Sequence, residues 1–342
     1  MSFKSKIAII ASLILITLIV LLRPYYLFVT QTLKISTFKT LFSLDGIKTY
    51  DDHINILFLG IAGANHDGPN LSDSIVVLSY DLKTNSLTTI SIPRDVWSDT
   101  LHDKINSAYA YGGFILAKAE VQIIIGQPIH YALAINFDQF EELINFLGGV
   151  EVNVDNSFVD NEFPITGKEN DLCGGDPEYK CRYKTVSFNK GLFLMDGQTA
   201  LNFVRSRHAN DSEGTDFARE KRQQKVMEAV KNRLIAFAKK LDLDQSKRLY
   251  DLINKIVKRD IDNQQISIIL KNIFLKKNFK QEKILLSDNF FINPVGNLNK
   301  YDGLWVLTPI NGNAETIHEY VDCRLNQKIN CEQLKPKRKE NR

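Results

Sequence analysis

Residues 53–94 carry three short apolar runs in close succession: HINILFLGI (53–61), SIVVLSYD (74–81) and SLTTISIPR (86–94). Each has the length and β-branched content of a strand, and LKTN (82–85) suits a hairpin connection between the second and third. Downstream the pattern alternates. NSAYAYGGFILAKAEVQIII (106–125) reads as a helix despite two glycines, YALAINF (131–137) as a strand, DQFEELINFLGG (138–149) as a helix closed by glycine, and VEVNV (150–154) as another strand. Strands alternating with helices define an α/β layered domain with a mixed sheet.

The second half is more helical. Residues 155–190 are rich in Asn, Asp, Gly and Pro and read as a long loop. A short helix is expected over 195–204 with Asp196 as its N-cap. Asp216 is expected to cap a long helix, 217–241, with Val226, Val230, Phe237 and Leu241 on one side. Residues 247–280 read as helical, GLWVLTPI (303–310) as a late strand and NAETIHEYVDCRL (313–325) as a final helix. Beyond it, 326–342 reads as a basic tail, with KPKRKENR (335–342) disordered.

Outward from this core, composition narrows the function. With 342 residues, 44% hydrophobic and 24% charged, the chain suits one large or two ordinary domains. A net charge of only +3 argues against a general nucleic-acid binder. No CxxC occurs, and the four cysteines form two equally spaced pairs, Cys173/Cys181 and Cys323/Cys331. Two disulfides in an oxidising compartment are the favoured reading over free structural thiols.

The N-terminus supports that compartment. Residues 7–22, IAIIASLILITLIVLL, are uncharged and follow Lys4 and Lys6. Sixteen residues make about 24 Å, slightly short of a bilayer core, but Arg23 can snorkel and Tyr25, Tyr26, Leu27 and Phe28 can continue the span at the interface. No small-x-small cleavage site follows, so an uncleaved single-pass anchor (1–30) is favoured over a signal peptide. Its basic flank puts the N-terminus in the cytoplasm and, after a polar linker (31–50), the domain 51–325 outside the cell membrane.

Three stretches carry chemistry. SIPRD (91–95) ends a strand, where α/β sheets gather ligands. Pro93 aims Arg94, and Asp95 can orient its guanidinium; a surface salt bridge is the plain alternative. Arg205 and Arg207 follow a short helix and point to one side if the chain is extended there. Arg219, Arg222 and Gln223 cluster near a helix start, where backbone N–H groups favour anions. A solvated basic face is the alternative for them, and Arg222 in particular can face solvent. Taken together, the arginines suit a diphosphate, because guanidinium forks bind phosphate oxygens bidentately. No GxSxG is present, and His102 with Asp103 makes no triad, which argues against a serine hydrolase.

At these residues the chain resembles the LytR-CpsA-Psr family of envelope phosphotransferases. The matching elements come in order: NILFLG (55–60), LSDSIVVLSYD (71–81), SIPRD (91–95), KINSAYAYGG (104–113), LGGVEVNV (147–154), KGLFLMDGQTALNFVRSR (190–207) and DFAREKRQQKV (216–226). The resemblance, over about 53–235, implies a three-layer α/β/α sandwich with a central mixed sheet and an apolar lipid tunnel. It implies a single-pass enzyme that moves a glycopolymer from a polyprenyl diphosphate carrier to a cell-wall acceptor such as peptidoglycan. Arg94, Arg205, Arg207, Arg219 and Gln223 match diphosphate-holding positions, and Asp73 matches one of two Mg²⁺-holding carboxylates. Ala62 stands where the family commonly has the second carboxylate, and Leu71 where it commonly has arginine. Asp67 or His66 is the candidate substitute; a solvated loop is the alternative. Asp95 or Asp73 is the candidate acceptor of the attacking hydroxyl's proton. Phe114, Ile115, Ile123, Phe137, Phe140 and Phe146 are candidates to line the tunnel, with core packing the ordinary explanation of each. A diphosphatase and a non-catalytic regulator of envelope synthesis are the competing functions.

Overall fold

The computed structural model describes residues 3–61, 70–165, 167–168, 170–209, 212–240, 242–276, 279–287, 289–294 and 298–336. The expectations for Ala62, His66, Asp67 and the tail from 337 lie outside them. An apolar helix, α1 (Phe3–Leu27), passes through a π-helical turn into α2 (Thr37–Phe42). Its 25 residues make roughly 37 Å at ~1.5 Å per residue, longer than the 24 Å expected because the helix carries on through Arg23 and Pro24. It is long and apolar enough to cross a membrane. The 31–50 segment, expected to be a linker, is instead docked: Ser36 N–H donates to Gln264 Oε1 at 2.6 Å, and the Thr40 and Ser267 hydroxyls meet at 2.8 Å.

The three opening runs form β1 (His53–Ile61), β2 (Ser72–Asp81) and β3 (Ser86–Ile92). They are followed by the two-residue strands β4 (Trp97–Ser98) and β5 (Asp103–Lys104), α3 (Ala108–Ile125), β6 (Tyr131–Asn136) and α4 (Phe137–Phe146). Next come β7 (Val150–Val154), β8 (Phe158–Pro164), β9 (Tyr183–Phe188), β10 (Gly191–Met195), α5 (Gly197–Arg205), α6 (Asp216–Ala238) and α7 (Leu243–Ile256). The chain finishes with β11 (Val257–Arg259), α8 (Asn263–Leu275), β12 (Lys280–Leu285), β13 (Phe291–Ile292), β14 (Thr308–Pro309) and α9 (Glu315–Leu325).

The central sheet has six strands in the order β11-β6-β1-β2-β3-β12. It is mixed: β1 is antiparallel to β2 and parallel to β6, and β12 is parallel to β3. Strand alternation sorts the side chains into two layers. Leu57, Leu59, Ile61, Val77, Ile90, Ala132 and Ala134 pack with α3 and α9 on one face. Ile54, Tyr80 and Tyr131 pack with Ile269 of α8 on the other. Toward the opposite end of that second face, Ile135 meets a cluster built from α4, α5, α6 and α7. The result is an α/β/α sandwich preceded by an apolar helix. Each fully buried aliphatic chain contributes about 1.5–3 kcal/mol to holding the layers together.

Several expectations change. VEVNV is a strand but leaves the main sheet, pairing with β10 from Val154↔Gly191 to Val150↔Met195. The 155–190 loop contains a hairpin, β8 and β9, with the Cys173–Cys181 disulfide between its arms. The long helix is capped by Thr215, not Asp216: Thr215 has extended dihedrals (φ −79°, ψ 154°) and accepts from Ala218 N–H, whereas residue 216 is already helical. Asp196 does cap α5, accepting from Thr199 N–H at 2.8 Å. Helix α3 breaks at Gly112 and Gly113, the latter at φ 58°, ψ −150°. Residues 247–280 split around β11, and of 303–310 only Thr308–Pro309 is a strand. The expected 326–342 tail is structured as far as Leu334: Cys323 bonds Cys331, and a 3-10 turn spans Cys331–Leu334.

Candidate functional site

The expected residues fall into two groups. The first lies where β3 ends beside the start of β2. Antiparallel pairing of Ile75 with Ile92 sets Asp73 next to Arg94, and Nη1 of Arg94 donates to Asp73 Oδ1. On its other side Nε lies 3.5 Å from Asp95 Oδ2. Lys104 Nζ donates to Asp95 Oδ1 at 2.8 Å, so Asp95 is braced between two cations. Asn106 N–H donates to Arg94 O at 3.2 Å and fixes the backbone. Burial alone would lower the pKa of Arg94, but the carboxylates of Asp73 and Asp95 outweigh it and hold the pKa above the ordinary arginine value. The guanidinium is therefore charged and oriented before any ligand arrives.

The second group sits at the α5–α6 junction. Arg205 is the last residue of α5; Ser206 and Arg207 leave the helix in extended form, Ser206 with φ −57°, ψ 132°. Ser206 is fully buried, and its hydroxyl donates to Asp160 Oδ2 at 2.6 Å. The same carboxylate oxygen accepts from Arg207 N–H at 3.0 Å and His208 N–H at 3.2 Å. Burial would raise the Asp160 pKa, but these bonds and one from Glu162 N–H more than offset it and hold it below the usual carboxylate range. With Ser206 turned inward, its neighbours Arg205 and Arg207 stay accessible, Arg207 the more so.

Arg222 supplies the other half of this clamp. The sequence leaves open whether it faces solvent; in the fold it is only 3% exposed. Its Nε donates to Phe203 O at 3.0 Å, Nη2 to Ser206 O at 2.6 Å, and Nη1 to Glu213 O at 2.8 Å and Glu213 Oε2 at 2.9 Å. The guanidinium also lies 4.8 Å from the Phe158 ring centroid. The reason is periodicity: Arg222 is one turn before the buried Val226, on the core side of α6. Arg219 and Gln223, four residues apart on the first two turns, remain partly accessible. Gln224 reaches Lys283 of β12 at 2.5 Å, which seats α6 against the edge strand beside β3.

Asp160 escapes the sequence reading because it lies in a segment read as loop, although the apolar Phe158 two residues before it is a strand signal. Arg222 is named there as one of the basic cluster, but its burial is signalled only by its i, i+4 relation to Val226.

Of the metal candidates, Asp67 is outside the described residues. Asp73 lies beside Ser72, whose buried hydroxyl has no hydrogen-bond partner among the described residues. One carboxylate and one hydroxyl fit Mg²⁺ only where phosphate and water complete its shell, as is usual for that ion. Asp171, Cys173 and Cys181 are close together, but the two sulfurs bond each other. Among the tunnel candidates, Phe140 is buried in the α4–α7 cluster, where Phe146 stacks on Phe237 at 5.7 Å. Phe114 packs with α3's cluster, whereas Ile115 and Ile123 are exposed. The Phe137 side chain is not among those described.

Comparison with known proteins gives the family and the fold. The LytR-CpsA-Psr family model matches residues 30–314, and the chain belongs to that family. It is 32% identical over 223 residues to the polyisoprenyl-teichoic acid–peptidoglycan teichoic acid transferase TagU of Bacillus mycoides (strain KBAB4), covering 64% of each chain. The TagU of Bacillus licheniformis is 28% identical over 186 residues, 53% of this chain and 52% of the relative. The chain thus spans somewhat under two thirds of the length of these relatives. Among solved structures, B. subtilis TagV matches with a TM-score of 0.55 and 23% identity, over 81% of this chain and 99% of TagV. TagT bound to LIIa-WTA matches with a TM-score of 0.53 and 24% identity, over 83% and 96%. These two share the fold.

Proposed function

We propose that this chain is a membrane-anchored transferase that moves a glycan phosphate from a polyprenyl diphosphate carrier to a cell-wall hydroxyl, with peptidoglycan as the acceptor. Family membership and the activity named for the TagU relatives support this reading. The observation that carries it is the double clamp on Ser206, by Asp160 and Arg222, which fixes the backbone between Arg205 and Arg207. A solvated basic face has no use for a buried clamp beneath it.

In this reading Arg205, Arg207, Arg219 and Gln223 grip the diphosphate from the α5–α6 junction, and Arg94 from the end of β3. The acceptor oxygen attacks the glycan-bearing phosphorus, the bridging P–O bond breaks, and polyprenyl phosphate leaves. Charge grows on the phosphoryl oxygens and the leaving phosphate, where prearranged guanidiniums stabilise it without reorganising. Asp95 positions Arg94. Asp73, with Ser72, would hold Mg²⁺, which when bound supplies further neutralisation of the diphosphate. Lys104 and Arg94 hold the two oxygens of Asp95, and Arg94 holds Oδ1 of Asp73; the attacking hydroxyl's proton passes to one of these two carboxylates. With α1 as a single-pass anchor, the domain faces outward, where the carrier's headgroup and the wall both lie.

Mass spectrometry of lipid copurified with the full-length protein tests the substrate class. A polyprenyl phosphate or diphosphate is expected. Ordinary phospholipid alone, in the proportions of the host membrane, would contradict it.

A further inference from the structure

The chain leaves α1 directly onto the domain. Phe28, in the π-helical turn, packs edge-on to Tyr250 of α7 at 6.4 Å, and Leu33 O accepts from Asn263 of α8 at 2.8 Å. Helix α2 then lies against α8 through its polar side, Ser36 and Thr40 bonding Gln264 and Ser267. Its other side is apolar and bare: Phe38 and Phe42 stack at 5.2 Å, yet are 71% and 75% exposed, with Leu41 beside them. On α8, Leu270 and Phe274, one turn apart and just past the Ser267 contact, are also exposed, Phe274 by 74%. From 28 to 46 the chain carries Lys34 and Lys39 against a single acid, Asp45.

We propose that this α2–α8 face is a second membrane contact, seated in the headgroup and upper acyl region of the leaflet from which α1 emerges. An apolar face with flanking lysines matches the chemistry of an anionic lipid interface. The surface continues from α1, and the bonds of α2 to α8 keep it at the membrane exit. It fixes the domain's tilt, bringing one layer of the sandwich down to the lipid. The inference rests on α1 crossing the bilayer, which the proposed function also uses, and not on the transfer reaction itself.

The test uses full-length protein in nanodiscs of phosphatidylethanolamine and phosphatidylglycerol, with one nitroxide label per variant. The four native cysteines are in disulfides, so only the introduced thiol reacts. Labels go at Ile14→Cys in α1, Phe42→Cys, Phe274→Cys, and Glu319→Cys, an exposed position on α9, the helix that packs on the opposite face of the sheet from α8. Collision with oxygen reports lipid, and collision with a water-soluble nickel chelate reports solvent. Labels at 14, 42 and 274 should favour oxygen several-fold over the label at 319. If 14 is in lipid while 42 and 274 behave like 319, the second contact does not exist. If 42 and 274 are shielded from both reagents, a second copy of the chain covers the face instead, which also overturns the proposal. If 14 itself is aqueous, the anchor reading fails and the inference with it, while lipid copurification still judges the reaction separately.

Discussion

Asp160 decides where Arg207 stands. One buried carboxylate accepts from the Ser206 hydroxyl and from two consecutive backbone N–H groups, and a second oxygen accepts from Glu162. Replacing it by Asn removes the charge and strands donors, a loss of about 1–3 kcal/mol that a urea midpoint would read. Its pH dependence follows from the direction of its pKa. The folded value is lowered, so its stabilisation is present above the unfolded pKa of about 3.9 and is lost as pH falls through the folded value. Asp155, pulled down to about 2 by hydrogen bonds from Lys221 and Lys225, acts in the same window. Stability should begin to fall below about pH 6.5, where burial keeps His53 and His130 neutral in the fold while the unfolded chain takes up protons, and should fall further between roughly 4 and 2 as the carboxylates protonate. In Asp160→Asn this acid-side slope should be shallower; an unchanged slope would assign it elsewhere. Arg222 is separable from the ligand arginines. Arg222→Ala takes this donor from Glu213 Oε2 and from three carbonyls, those of Phe203, Ser206 and Glu213, and should cost about 3–5 kcal/mol in chemical denaturation. Arg219→Lys should leave the melting temperature unchanged.

Glycines, caps and crosslinks set the elements on which these residues ride. Gly113 takes φ 58°, ψ −150° inside α3, and a Cβ there meets nothing within 4 Å, so its constraint is backbone alone. Gly113→Ala should cost about 1–3 kcal/mol with no repacking to relieve it, read as a lowered denaturation midpoint. The Cys323–Cys331 bond ties the end of α9 to the 3-10 turn that follows it, and the double serine variant should lose ~2–3 kcal/mol in the same measurement. The elements most readable in the sequence were those with strong periodicity: β1, β2 and β3, α4, α5, and the cysteine pairs. What stayed hidden had weak local signal. The edge strand β12, KQEKIL, is mostly polar because only Ile284 faces the core. The hairpin β8–β9 is interrupted by a register shift between Asp160 and Phe163, which breaks the alternation a strand reading relies on. At the candidate site, the arginines proposed to hold the diphosphate are legible because charge at fixed spacing is conspicuous. Asp160 is not, because a buried carboxylate is recognised only by the groups it holds, and the backbone N–H groups of Arg207 and His208 are 47 and 48 residues away.

In the assembled molecule the two arginine groups belong to different layers: Arg94 to the sheet, the others to the helical cluster over it. Helix α6 bridges them by resting on β12 through Gln224 and Lys283. A ligand held by both groups would staple the layers together. Its binding should therefore raise the melting temperature of the wild type more than that of Arg94→Lys. The central claim is transfer of a glycan phosphate by these arginines, and a transfer assay tests it most directly. Full-length protein in nanodiscs is given a synthetic polyprenyl-diphosphate glycan, peptidoglycan fragments and Mg²⁺, and mass spectrometry follows both products. The wild type should release polyprenyl phosphate in step with a phosphodiester-linked glycan–peptidoglycan product. Arg207→Lys and Arg219→Lys should slow both by about 10²–10³, since lysine keeps the charge and loses the fork, while the exposed Lys239→Ala should match the wild type. Near wild-type rates in both lysine variants, or polyprenyl phosphate released without any glycan product, would contradict the account.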